Sequence, residues 1–551
     1  MSTTNAGSRR SFKREAGIIG LLYASLGGII GSGWLKGPLN AAVRAGPLSM
    51  FSWLIGGVAI LMLAMVYAEL ATLFPRGGAV VHFPRLSHGS LLARIWSWIL
   101  FLAYVTIAPA EVVATLNYLD VFLRHLAIHW IPPFILHTAS GSNVLTAAGM
   151  VIAIMLLAVF TALNLLGIKW VMRISNTAGW WKLIVPLLTA LTLLYVGHHW
   201  QNFRLHSADS RREIEGIFTS LSSAGVIFSF LGFRQAVELA GESANPKRNI
   251  PIAVIGSVVI GLIIYLLLQA GFIAAINPHT LAKYGWEKIT SGGYLARFGG
   301  APLAAVAQGL GLVWLTYVLY ADAVISPGGT GFIYSTTSAR VISAMGSDGF
   351  IHRIFSRLSR NGVPWVAGIL AFLVGIVFLL PFPSWSQLVG YISSVTVLSY
   401  GIGPIVLMSL RKIMPENQHP RPYRLPAAHI FAPITFIISN LMIYWSGLKT
   451  LLILLAVLAS IFILFLAWRL LSGATLRQMA WRSAWWVLPY LLGLLILDAI
   501  GPAHLVGGSG LIPFPLDTLV VAGFSLAIFY LAVRCCVSVE ELEAYIETQE
   551  I

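Results

Sequence analysis

Charge is what this chain has least of. Asp, Glu, Lys and Arg together make up 10% of its 551 residues, against 58% hydrophobic residues. A soluble globular domain carries about 25% charged residues, so this chain could not solvate the surface of one, whatever its length. Cysteine is scarce too: the two, Cys535 and Cys536, are adjacent, at the expected cytoplasmic end of the last apolar run. A reducing compartment argues against a structural disulfide there, and they are read as inert. The patterns of embedded chemistry are missing. There is no His-Glu-x-x-His, no Gly-x-Ser-x-Gly and no nucleotide-binding loop, whereas a hydrolase or transferase needs a nucleophile with its base, or a metal cluster. No enzyme, cofactor or metal site is therefore expected. Neither a repeated filter loop nor a ring of charges marks a channel. None of the 13 histidines falls in the middle of an apolar run, which removes the usual proton shuttle.

What remains is apolar length. Fourteen spans begin near residues 17, 47, 91, 146, 174, 217, 251, 302, 364, 386, 427, 449, 484 and 515, which predicts an all-α polytopic membrane protein. The net charge of +15 invites a nucleic-acid reading, but its distribution argues against one. With the amino terminus cytoplasmic, 23 of the 35 Lys and Arg residues lie on cytoplasmic segments, nine lie outside, and Lys36, Lys182 and Arg234 lie within spans. That bias fixes the orientation and predicts a cell-membrane protein with both termini cytoplasmic, in contact with lipid. The oligomeric state is not legible. Ser8-Arg9-Arg10-Ser11-Phe12-Lys13 looks like a twin-arginine export signal. No small-residue cleavage site follows and the next apolar stretch is too long for a signal core, so these charges read as the anchor of span one. The organisation expected is a cytoplasmic segment (1–15), two five-helix halves (16–200 and 201–412), accessory helices eleven to fourteen (413–537) and a short acidic tail (538–551). Asp498 and Asp517 read as interfacial.

Each half opens on a span broken by glycine: Gly27-Gly28-Ile29-Ile30-Gly31-Ser32-Gly33-Trp34 and Phe228-Ser229-Phe230-Leu231-Gly232-Phe233-Arg234. An orphan amide in hydrocarbon costs several kcal/mol, so a mid-membrane break is tolerated only where it lines a cavity or a ligand. Corresponding breaks in two halves point to a transporter's binding site. The first amides of an outgoing half-helix bind anions, and the last carbonyls of an incoming one suit a cation. An α-amino acid carries both charges. The competing reading is that these glycines serve only close helix packing. Phe228, just before the second break, is either core or an aromatic lid.

At these residues the chain resembles the amino acid–polyamine–organocation superfamily of secondary transporters. Gly31-Ser32-Gly33-Trp34 is similar to its span-one signature. Tyr67-Ala68-Glu69-Leu70-Ala71-Thr72-Leu73-Phe74-Pro75, followed by Arg76-Gly77-Gly78, is similar to the end of its span two. Phe230-Leu231-Gly232 followed by Glu242-Ser243-Ala244-Asn245-Pro246 resembles its span six, and Ser338-Ala339-Arg340 to Ser347-Asp348-Gly349 the end of its span eight. The layout and the Phe-Leu-Gly-Phe-Arg stretch look most like a bacterial acidic amino acid/proton symporter group. The resemblance implies a five-plus-five inverted-repeat transporter fold with discontinuous helices 1 and 6. A bundle of spans one, two, six and seven would rock against a scaffold. The backbone of Gly31, Ser32 and Gly33 would take the substrate carboxylate. Carbonyls near Ile29, Phe228, Ser229 and Leu231, beside Gly232, would take its amine, with Phe228 as the gating aromatic.

The departures from the family pattern carry the specificity. Arg234 stands where many relatives have a carboxylate. An intramembrane Arg costs at least ~2.5–3.5 kcal/mol, so it either reads a substrate's side-chain carboxylate through a bidentate contact or pairs internally with Glu238, Glu111 or Asp322. Lys36 either attracts an anion in the outer vestibule or snorkels to the interface. Lys182, in Gly179-Trp180-Trp181-Lys182, matches a span-five lysine of proton-coupled relatives. The resemblance implies that its ammonium contacts carbonyls of the span-one break and the stretch Ser326-Pro327-Gly328-Gly329-Thr330, where sodium-driven members hold a metal ion. Snorkelling is the alternative. Glu69 reads as a structural or gating contact. Glu111, Asp120 and Asp322 are candidates for pairing or relaying a proton. The function expected is proton-coupled uptake of aspartate or glutamate by alternating access, with a neutral amino acid symporter or an exchanger as the alternative.

Overall fold

The computed structural model describes residues 16–75, 78–128, 130–137, 143–165, 168–204, 210–291, 300–359, 362–380, 384–417, 419–471 and 481–548. The amino-terminal segment 1–15 with its paired arginines, and Arg76-Gly77, lie outside them. By length and composition nine described helices could cross a membrane, or ten if one bent pair counts as a single span, against fourteen expected. The shortfall has identifiable causes. Three apolar helices, Ile18–Ile29, Trp365–Leu379 and Ala428–Tyr444, are short, and two of the nine segments, Gly33–Leu73 and Val80–His125, are long runs that each join more than one helical piece. The span numbers used above are kept as labels. Among the described residues a two-stranded hairpin, Ile135–His137 against Asn143–Leu145, lies between spans three and four, and Ala16 bridges Ser243 in parallel.

Span one is two helices, Ile18–Ile29 and Gly33–Ala45. Ile30 leaves helical geometry at φ −87°, ψ 85°, and everything from Ala24 to Leu39 is buried. The second break starts earlier than the sequence reading placed it. The helix Ser210–Ser223 ends, Gly225 takes φ +88°, and a tight 3-10 stretch, Phe228–Arg234, runs on into Gln235–Glu238, the two together bent by 44° from the helix before them. Only glycine tolerates that φ at no steric cost, and a side chain on Gly225 would also press on the Trp385 ring. Gly232, expected at the substrate, packs against span one. A Cβ there would overlap the main chain of Gly28, and one on Gly28 would come within 2.9 Å of the Gly232 Cα. The two broken spans thus touch backbone to backbone, as small residues allow inside a membrane.

The other spans frame this contact. Span two is Ser49–Leu73, span three ends in Ile107–His125, span five is Ile168–Gly197 and span seven is Pro246–Ala275. Span eight was expected from residue 302. A short helix, Pro302–Gly309, precedes a turn at Gly311 (φ +75°), and the long helix then runs Val313–Ser347. Span ten is Trp385–Ile413, and Ala428–Tyr444 packs along it. The accessory helices hold together through buried polar contacts: Tyr490 Oη donates to Asn440 at 2.7 Å, and Tyr444 Oη to Asp517 at 2.9 Å. Asp498 and Asp517 are buried rather than interfacial, at 0% and 2% exposure. The tail forms a helix, Val539–Thr548.

Gly232→Ala should lower thermal stability, by about 1–3 kcal/mol of overpacking, because its neighbour is main chain that cannot rotate away. Melting of the purified protein in detergent tests this. An unchanged melting temperature would mean that spans one and six do not meet at these glycines.

Candidate functional site

Four side chains from four different spans close on the break in span one. Lys182 of span five donates to the Gly27 carbonyl and to Thr330 Oγ1, both at 2.7 Å. Thr330 of span eight donates in turn to Gly27 O at 2.9 Å, with Ile30 O at 3.3 Å. Of the stretch expected around Lys182 in span eight, Thr330 is the residue that meets it. Glu111 of span three accepts the Ser32 amide on Oε2 at 2.8 Å. Its Oε1 is buried without a hydrogen bond and lies where a Cβ on Gly31 would stand. Tyr265 of span seven places its hydroxyl between Ile29 O at 3.0 Å and Ser229 O at 2.9 Å, so one phenol bridges both breaks. Glu111 and Lys182, both buried, act on each other electrostatically. Lys182 does not snorkel: its side chain is 1% exposed.

The remaining expected residues sort by depth. A side chain on Gly33 would overlap Ser229, so Gly33 lies directly against the second broken span. The Tyr400 hydroxyl hydrogen-bonds the Leu231 carbonyl. Phe228 meets Trp385 edge-on, centroids 6.0 Å apart, and the Trp385 indole N–H donates to Ser32 Oγ at 2.9 Å. Lys36 is 7% exposed with its ammonium 5.4 Å from the Trp385 ring centre, so it does not reach for the interface either. Asp322 accepts from Trp181 at 2.9 Å and from Ser326 at 2.7 Å. Asp120 accepts the Phe134 amide at 2.7 Å, next to the hairpin.

Arg234 departs from the expectation that it reads the substrate. Ser25 Oγ donates to Phe233 O at 2.9 Å and accepts the Ala236 amide at 3.2 Å, which sets Arg234 level with Ser25. At 1.5 Å per residue that is about 9 Å along span one from Gly31, on the side of its amino-terminal half. The guanidinium is 1% exposed and donates to Tyr104 Oη and Ser399 Oγ, each at 3.0 Å. It sits over the rings of Tyr400, Tyr104 and Tyr67, 4.2, 5.1 and 5.6 Å from their centres. Tyr104 also donates to Glu238 at 3.0 Å. The internal partner is therefore Glu238, reached through a tyrosine, and neither Glu111 nor Asp322. Aromatic faces can hold a desolvated guanidinium in this way.

Glu69 closes the far end of span two against span ten. It takes Arg411 in a two-point contact (3.0 and 2.6 Å), has Arg421 Nη1 at 3.3 Å, and accepts the Leu425 amide at 2.7 Å. Burial pulls Arg421 below its ordinary pKa, and Glu69 pushes it back up.

The break thus presents main-chain amides and carbonyls beside one basic and one acidic side chain. The amino acid permease family model matches residues 17–496. The chain belongs to that family. The permease is 35% identical over 528 residues to the aspartate-proton symporter of Bacillus subtilis, covering 95% of this chain and 96% of the relative. It is 33% identical to the glutamate/serine transporter AimA of the same organism, over 96% and 95% of the two chains. A branched-chain amino acid permease, BcaP, also of Bacillus subtilis, is 29% identical over 78% of this chain and 89% of its own. The permease is thus a multi-pass membrane protein of amino acid transport, with a helical transporter fold, and not an enzyme. Sequence reasoning missed Tyr265, Tyr400, Trp385 and Tyr104. Each is a polar aromatic in or at the edge of an apolar run, and nothing in that pattern separates a hydroxyl or indole N–H that bonds the site from one that only packs.

Glu69→Ala should cost about 3–5 kcal/mol, the usual effect of stranding buried charge, because it leaves Arg411 and Arg421 facing each other. A melt of the variant tests this. A wild-type profile would show the cluster to be idle.

Proposed function

We propose that the permease accumulates an acidic amino acid, aspartate or glutamate, by proton symport across the cell membrane, with both termini cytoplasmic. The observation that carries this is the pairing of Lys182 on Gly27 O with Glu111 on the Ser32 amide, one charge of each sign inside the span-one break. The substrate carboxylate belongs at the amides of Gly31, Ser32 and Gly33, and its amine at the carbonyls of Ile29, Phe228, Ser229 and Leu231. Tyrosine hydroxyls already use three of those carbonyls, but a carbonyl oxygen has a second lone pair.

Charge arithmetic then links substrate to proton. With Lys182 and Glu111 both ionised the break is neutral. A bound amino acid would set a second carboxylate beside Glu111 at the Ser32 amide. A proton on Glu111 removes that conflict: it weakens the carboxyl's hold on the amide and leaves the incoming carboxylate beside a charged Lys182. Inside a low-dielectric site such charge conflicts weigh heavily. Lys182, held to main chain of the broken span, makes the geometry of the break depend on its own protonation. The names of the aspartate-proton symporter and of the glutamate/serine transporter support the substrate class. The latter makes a small neutral amino acid such as serine the second reading.

In sealed proteoliposomes, Lys182→Met and Glu111→Gln should each abolish pH-gradient-driven accumulation of glutamate while leaving binding or counterflow measurable. Undiminished uphill uptake by either variant would refute its role in coupling.

A further inference from the structure

We infer that Lys36, not Arg234, reads the side-chain carboxylate of the acidic substrate, and that the face of Trp385 holds it ready to do so. The inference rests on the reading of the permease as a carrier of acidic amino acids. Three cations lie inside the spans, and two are set aside by partners and position. Lys182 is spent on the Gly27 carbonyl and Thr330. Arg234 donates to Tyr104 and Ser399 and sits over three aromatic faces; its Nη2 is buried without a hydrogen bond, but the group lies on the amino-terminal side of the break, away from the amides assigned to the α-carboxylate.

Lys36 differs in partner and in position. It is buried, yet among the described residues no carboxylate lies within 4.0 Å of its ammonium. The π face of Trp385 lies against it. An ammonium largely withdrawn from water beside an aromatic face is only partly compensated, and an incoming anion would complete it. Its place suits that task. Lys36 is in the first turn of Gly33–Ala45, about one helical pitch of 5.4 Å beyond the amides assigned to the α-carboxylate. Trp385 joins the two points: its ring lies against Lys36, its N–H binds Ser32 Oγ, and its edge meets Phe228. An amino acid anchored by its α-carboxylate at Ser32 or Gly33 and extending toward Gly37 brings a side-chain carboxylate to the ammonium. A neutral side chain of the same shape would leave the ammonium unpaired, so the site discriminates by what it leaves unsatisfied as much as by what it binds.

The test is the affinity of the purified permease for glutamate and for glutamine, its neutral isostere, by equilibrium binding. Wild type should prefer glutamate at least tenfold. In Lys36→Met that ratio should fall tenfold or more, toward equality, through weaker glutamate binding with glutamine binding kept. Lys36→Arg should keep glutamate ahead and shows that the position tolerates exchange. A ratio in Lys36→Met equal to wild type overturns the assignment, and so does equal weakening of both ligands, which would mark a structural lysine. A wild type that does not distinguish the two amino acids at all would instead overturn the proposed substrate class, whatever the variants do.

Discussion

Unpaired main chain in the middle of a membrane is the constraint on which this molecule is built. Span one stops being a helix between Ile29 and Gly33, and the amide and carbonyl groups released there have no water to turn to. Side chains answer instead. An ammonium and a threonine hydroxyl meet Gly27 O, a phenol meets Ile29 O, and a carboxylate meets the Ser32 amide. Each answer comes from a different span, so spans three, five, seven and eight are registered against span one by its broken backbone, and not by shape alone.

That solution differs from a helix in one functional respect. Helical hydrogen bonds between backbone groups carry no charge that can change, whereas two of the groups at this break, the Lys182 ammonium and the Glu111 carboxyl, are ionisable. Under the proposed function a ligand carboxylate competes with Glu111 for the same amide, and the chemistry that stabilises the break is also the chemistry that couples it to a gradient. The rest of the bundle isolates this centre. Phe228 and Trp385 lie on the side of Lys36, Tyr104, Tyr400 and Arg234 on the side of Ser25, and Glu69 with its arginines fastens the end of span two to span ten.

The membrane class, the broken first span and the lysine facing it were all legible, because each follows from a cost hydrocarbon imposes on a recognisable residue type. Gly31-Ser32-Gly33 reads as a break since few other sequences could form one. Lys182 reads as a partner since a lysine that deep needs one. Arg234 was legible as a buried charge but not as a caged one, since its cage is drawn from Tyr67, Tyr104, Ser399 and Tyr400, up to 167 positions away. The second break was legible over Phe228–Arg234, but its start at Gly225 was not, for a related reason. Gly232 and Gly225 look alike in sequence, and only the approach of Gly28 to one and the positive φ of the other distinguish packing from bending. Asp498 and Asp517 lie close to span ends in sequence, yet the accessory helices pack over them and leave them buried.

The most direct test of this account is an experimental structure of the permease with glutamate bound at saturating concentration. The account predicts the α-carboxylate on the amides of Gly31 to Gly33, the Glu111 carboxyl moved off the Ser32 amide, and Lys182 still against Gly27. Glutamate bound away from the break in span one, with Glu111 unmoved on Ser32, would contradict it.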